Sequence, residues 1–155
     1  MNTPTIGIDP GKTGGMVILW PEAAPGYKFT KVTYAAAEGM SYSLWETLLG
    51  NEARVVMEDV GSVPNDRPSA AFALGSTVGF WTAVLAGARV KPLLLRPEVW
   101  QVKFARAFGD RWCPSERAER KKYIAKKVRT KLAGGISVAL ADAAALSWLL
   151  MEGKI

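Results

Sequence analysis

The chain opens with Ile6-Gly7-Ile8-Asp9-Pro10-Gly11-Lys12-Thr13-Gly14-Gly15-Met16-Val17-Ile18-Leu19. This stretch reads as a buried strand carrying one carboxylate, a glycine-rich turn and a second apolar strand. Asp9 ends an apolar run, which places it at the edge of a core. An ionised carboxylate is costly there unless its charge is offset, and a bound divalent cation would do that. An ordinary hairpin with a turn-forming Asp-Pro-Gly satisfies the same residues. The turn alone does not choose between the two.

Outward from this stretch, strands and helices follow in an order that suits an open α/β sheet. Strands are expected over 5–9, 14–20, 28–34, 54–60 and 89–95, the fourth holding Val55-Val56-Met57-Glu58. Helices are expected over 41–49, over 69–87, from Pro97, over 115–132 and over 137–151, the last carrying Asp142 in an apolar run. Gly61 to Pro68 reads as a loop, and Gly134-Gly135 ends the basic helix. A length of 155 residues fits one domain spanning 1–155.

Composition removes several chemistries. The chain has no histidine, so His-based triads, haem ligation by His and His-rich zinc sites are excluded. Cys113 is the single cysteine, and no intrachain disulfide can form. Residues 70–88 come nearest to a membrane span but are diluted by Ser76, Thr77 and glycines, so no membrane partner is expected. No secretory signal pattern opens the chain, and a bacterial or phage-infected cytoplasm is the expected location. The net charge of +6 is unevenly placed: 89–131 holds 14 Lys or Arg against 4 Asp or Glu, whereas 1–88 holds 5 against 8. A basic block beside a carboxylate-bearing half suggests a polyanion held against a metal site. A solvated helix face is the plainer explanation of such a block.

Asp9 and Glu58 close two strands, and in parallel neighbours both ends emerge on the edge where open sheets bind ligands. Asp142 lies in the first turns of the last helix, where the helix dipole also favours an acid. Three carboxylates on separate elements suit Mg²⁺, which takes oxygen ligands and keeps several waters.

These motifs, taken in order, resemble the RuvC-type Holliday-junction resolvases of the RNase H-like superfamily. The resemblance rests on Gly7-Ile8-Asp9-Pro10-Gly11, Val56-Met57-Glu58, the helix with Gly75 and Gly79, Arg96-Pro97-Glu98-Val99-Trp100, the Lys121-Lys122 helix and Leu140-Ala141-Asp142-Ala143. It implies an α/β fold with a central mixed five-stranded sheet flanked by helices, and a homodimer that cuts opposed strands of a four-way DNA junction. It implies two Mg²⁺ ions, with Mn²⁺ able to substitute, typically about 3.5–4 Å apart. Asp9 would bridge them, with Glu58 and Asp142 on either side, leaving 5′-phosphate and 3′-hydroxyl ends. Lys121, Lys122, Lys126 and Arg129 would contact DNA, Gly75 and Gly79 would lie in the dimer seam, and Phe72 would wedge into unpaired bases.

One departure stands out. The family's further ligand, one helical turn before the last Asp, falls near Val138 and Ala139, and neither side chain binds metal. Asp59 is a substitute only if the strand ends at Glu58, because neighbours on a strand face opposite ways. Two other functions compete: a non-catalytic junction-binding protein, which the missing ligand suits, and a nucleotide-binding enzyme. For the latter, the phosphate-loop spacing fails, since its first glycine would have to stand at Ile6.

Overall fold

A computed structural model describes residues 3–21, 27–33, 53–61, 66–132 and 135–155. The helix expected over 41–49 lies outside the described residues.

Five strands form one sheet in the order β3-β2-β1-β4-β5, as expected. They are β1 (Thr5–Asp9), β2 (Gly15–Pro21), β3 (Tyr27–Thr33), β4 (Arg54–Glu58) and β5 (Leu93–Leu95). β1 pairs antiparallel with β2 and parallel with β4, while β2–β3 is antiparallel and β4–β5 parallel. The sheet is therefore mixed, and β1 is its central strand. Among the described residues, four α-helices accompany it: α1 (Pro68–Gly87), α2 (Pro97–Ala107), α3 (Arg117–Leu132) and α4 (Ala141–Met151).

Period-two alternation sorts the strand side chains onto two faces. Ile6, Ile8, Met16, Ile18, Val55 and Met57 pack with Trp81, Val84 and Leu85 of α1. Val17, Leu19 and Val56 face the other way, against α2, α3 and α4. Asp9 shares the parity of Gly7, and Glu58 that of Val56, so both carboxylates leave the sheet on the α4 side.

α4 runs antiparallel to β1 at very short range. Thr5 Oγ1 donates to the Ser147 carbonyl at 3.0 Å, and Ser147 Oγ donates to the Thr5 carbonyl at 2.8 Å. A Cβ at Gly7 would lie 2.6 Å from Ser147 N and would also strike the Ala143 carbonyl oxygen. Only glycine lets the helix backbone settle on the strand here. This contact sets the N-terminal turn of α4, with Asp142, beside the end of β1.

Three expected elements differ in detail. The strand expected over 89–95 shrinks to Leu93–Leu95. Arg89 takes a left-handed φ of 56° and Val90 N donates to Leu85 O, so the chain is still closing α1 at the point where the strand was expected. The helix expected over 137–151 begins as a 3-10 turn, Val138–Leu140, before the α-helix starts at Ala141. Finally, α1 is long and apolar enough to cross a membrane by length and composition, which the diluting polar residues had argued against. Its C-terminal half packs on the sheet, with Trp81 wholly buried.

Candidate active site

Asp9, Glu58, Lys121 and Asp142 line one open cleft of about 440 Å³. Gly11, Lys12, Thr13, Gln101, Arg117 and Arg120 complete its polar wall. All three carboxylate residues are nearly closed off from solvent, at 5%, 7% and 7% exposure for Asp9, Glu58 and Asp142. Burying three acids together is unfavourable without compensating charge, so the local partners of each matter.

Each acid is held by one protein donor. Gly11 N donates to Asp9 Oδ1 at 2.9 Å, so the glycine-rich turn both reverses the chain and orients the carboxylate. Gly14 leaves the room, since a Cβ there would sit 2.7 Å from Asp9 Cγ. Trp100 Nε1, fully buried on α2, donates to Glu58 Oε1 at 2.9 Å. Lys121 Nζ stands 3.5 Å from Asp142 Oδ2. Asp142 Oδ1 is buried without a partner.

The electrostatics follow from this crowding. Burial, and then the Asp9 charge, push Glu58 up to about 7, against the Trp100 hydrogen bond. Burial also raises Asp142, the Lys121 ammonium opposes this, and Asp9 raises it further. Glu58 therefore keeps its proton to about pH 7, and Asp142 is shifted in the same direction.

The donor chemistry suits a hard divalent cation: three carboxylates line the cleft, and one carboxylate oxygen, Asp142 Oδ1, is buried without a partner. Among the described residues no three His, Cys, Asp or Glu side chains are grouped closely enough to cage an ion by themselves. Mg²⁺ does not require such a cage, because it is held by one or two carboxylates together with water and phosphate oxygens.

Not every expected site residue comes to the cleft. Asp59 is outside it: its side chain is half exposed and lies 3.9 Å from Arg96. β4 ends at Glu58, but Asp59 N still bonds Leu95 O, so the backbone stays extended and the side chain turns from the site. Lys122 also points away, pairing with Glu119 at 2.9 Å, and shares an exposed face of α3 with Lys126 and Arg129. Arg129 Nε donates to the Ile136 carbonyl, which ties α3 to the segment entering α4. Phe72 is 78% exposed, two residues from the cleft-lining Leu74. Gly75 and Gly79 are exposed, and among the described residues nothing beyond the neighbouring helix backbone lies within 4 Å of where their Cβ would stand.

Trp100 as the partner of Glu58, and Arg117 and Arg120 as cleft cations, were not singled out in the sequence. A signal did exist for separating Lys121 from its neighbour. Positions 121, 125, 128 and 132 form one helical stripe, and Ala125, Val128 and Leu132 on it are buried. Lys121 is the polar end of the core-facing side.

No protein-family model matches the chain, and no curated protein matches it. Among solved structures it is similar to RuvC of T. thermophilus in complex with a Holliday junction substrate, with a TM-score of 0.55, 18% identity, and coverage of 98% of this chain and 94% of that one. A second Thermus thermophilus RuvC structure matches with the same score and identity over 98% of both chains. The fold is RuvC-like.

Proposed function

We propose that the chain is a metal-dependent, structure-selective endonuclease that resolves four-way DNA junctions by paired symmetric nicks, working as a homodimer. The observation that carries this is the meeting of Asp9, Glu58 and Asp142, from three separate elements, in one cleft that Lys121 also lines. The RuvC-like fold and the T. thermophilus complex with a junction add to it.

Asp9, with Glu58 and Asp142 on either side, would hold Mg²⁺ or Mn²⁺. Such an ion supplies Lewis-acid charge that makes water nucleophilic at neutral pH and stabilises the departing oxygen. The chain's own groups do the rest. Gly11 and Trp100 hold Asp9 and Glu58 each by one oxygen, so the others face the cleft in fixed positions. Lys12, Arg117 and Arg120 line the cleft and draw in the phosphate. In the reaction a water oxygen bonds to phosphorus, the bond from phosphorus to O3′ breaks, and the proton ends on O3′. The products carry 5′-phosphate and 3′-hydroxyl ends.

Outside the cleft, Lys122, Lys126 and Arg129 present an exposed basic face for a DNA arm. Phe72, which is exposed, would stack on an unpaired base at the junction centre. The open face of α1 around Gly75 and Gly79 suits a second copy of the chain.

Incubating the protein with a labelled synthetic four-way junction in Mg²⁺ or Mn²⁺, beside Asp9→Asn and a linear duplex, tests this reading. Paired nicks in the junction alone, absent from Asp9→Asn, are the expected result. Tight binding without cleavage in either metal would instead favour a non-catalytic junction binder. The absence of a donor side chain at Val138 and Ala139 is the observation on that side.

A further inference from the structure

We infer that the Lys121 ammonium occupies the place of a second cation, so that the site works with one divalent ion per chain. This rests on the metal-nuclease reading and replaces the two-ion arrangement that the sequence resemblance implies.

Three observations carry it. First, Lys121 does not lie on the solvated side of α3. It continues the buried stripe of Ala125, Val128 and Leu132, and its side chain is about one-quarter exposed. Its ammonium reaches Asp142 Oδ2 at 3.5 Å, and its field is felt at Glu58 as well. It is therefore a fixed charge inside the carboxylate cluster. Second, the place from which a further ligand would come is empty of donors: the 3-10 turn before α4 carries Val138 and Ala139, with Val138 39% exposed. Third, Asp142 gives one oxygen to Lys121 and keeps the other buried and without a partner. An acid arranged in this way has one oxygen left to share with a metal.

The charges agree with this arrangement. Three ionised carboxylates facing one divalent ion leave a single negative charge, which the Lys121 ammonium beside Asp142 cancels, and Lys12, Arg117 and Arg120 are left to meet the phosphate. A second divalent ion on Asp142 would have to displace Lys121 from Oδ2 or sit against it, and like charges at that range in a partly desolvated cleft repel strongly. A lysine on a helix, unlike an ion, is held whether or not DNA is present.

The test is to count Mn²⁺ bound to the full chain by electron paramagnetic resonance, in wild type, Lys121→Met and Lys121→Arg. The order of nicking in Mg²⁺ concentration on a four-way junction is measured alongside. One ion in wild type and in Lys121→Arg is expected, with a second ion appearing at least tenfold more tightly in Lys121→Met. Nicking by wild type should be first order in Mg²⁺. Two ions in wild type, or second-order nicking, would overturn the inference and leave the nuclease reading standing. One ion in both wild type and folded Lys121→Met would show that Lys121 is not the reason and would overturn it too. No bound ion in wild type would remove the metal-nuclease reading itself. Should Lys121→Met fail to fold, Lys121→Gln is counted in its place with the same expected and overturning outcomes, and two ions or second-order nicking in wild type overturn the inference without any variant.

Discussion

Helices α1 and α4 look alike as sequence and behave differently as structure. α1 carries no charged residue and α4 carries only Asp142. Yet ten of the eleven residues of α4 are buried, against four of the twenty in α1. α4 lies along the central strand, bonded to Thr5 and seated on Gly7. α1 touches the sheet mainly through Trp81, Val84 and Leu85 in its second half. Apolar composition says that a helix prefers to leave water, and topology decides whether its own chain provides the cover. The acid on the covered helix becomes part of a cleft. Among the described residues, little covers the first half of α1.

Paired glycine substitutions would sharpen this contrast most. Gly7→Ala drives a methyl into the Ala143 and Ser147 backbone, so a stability loss above about 4 kcal/mol, or failure to fold, is expected in urea denaturation. Gly79→Ala meets nothing within 4 Å. It should raise monomer stability by about 1 kcal/mol through helix propensity, while weakening self-association in analytical ultracentrifugation. If Gly79→Ala proved as damaging as Gly7→Ala, the contrast between the two helices would be lost.

Asp142→Asn probes the functional side of the buried helix. The fold should persist, since the amide is isosteric, while junction nicking drops roughly a thousandfold, equivalent to about 4 kcal/mol of transition-state stabilisation. A variant that nicks at the wild-type rate would remove Asp142 from the site.

Proton linkage gives the next effect. Glu58 is an acid whose folded pKa of about 7 lies above its ordinary 4.5. Its ionised form is therefore the disfavoured one in the fold. Stability relative to this group is fully present below pH 4.5 and is lost as pH rises through 7, by about 3 kcal/mol in all. The raised pKa of Asp142 acts in the same sense. Asp110 and Glu116, both lowered, act oppositely but only within and below the ordinary carboxylate range. Melting temperatures in chelator should thus fall between pH 5.5 and 7.5, with a flatter profile in Glu58→Gln. A divalent ion should restore stability most at the high-pH end, because it binds the ionised acids.

Phe72→Ser should show the smallest effect on the fold, within about 0.5 kcal/mol, as expected of an exposed side chain. Its effect on junction affinity, measured by fluorescence anisotropy, should be roughly tenfold if the ring stacks on a base. An unchanged affinity would leave Phe72 with no part in junction binding.

Much of this arrangement was legible in the residues. The run Ile6 to Leu19 marks β1, the turn and β2, because apolar runs broken by Asp-Pro-Gly leave little else for the backbone to do. Glu58 and Asp142 stood out as acids closing or entering apolar segments, a placement that physical chemistry makes rare. The Lys121–Lys122 pair was harder. Adjacent lysines are equivalent as composition, and only the phase of the helix, read from Ile124, Ala125, Val128 and Leu132, turns one into the cleft and the other to Glu119. Trp100 read as core, and it is core, but its indole N–H needed a buried acceptor and took Glu58.

By itself, the sequence determined most of the described strands and helices, the exclusion of histidine chemistry, the three carboxylates and the excess of positive charge in the second half. These follow from local periodicity and from the cost of putting charge near apolar segments, and both act over a few residues. Only the tertiary structure decided that Asp59 turns away, that Lys121 faces Asp142, and that α4 is buried while α1 lies open. Those outcomes depend on which face of the sheet each element covers and how closely Gly7 lets a helix approach. Contacts between residues distant in sequence, such as Gly7 with Ala143 and Trp81 with the strands, set both.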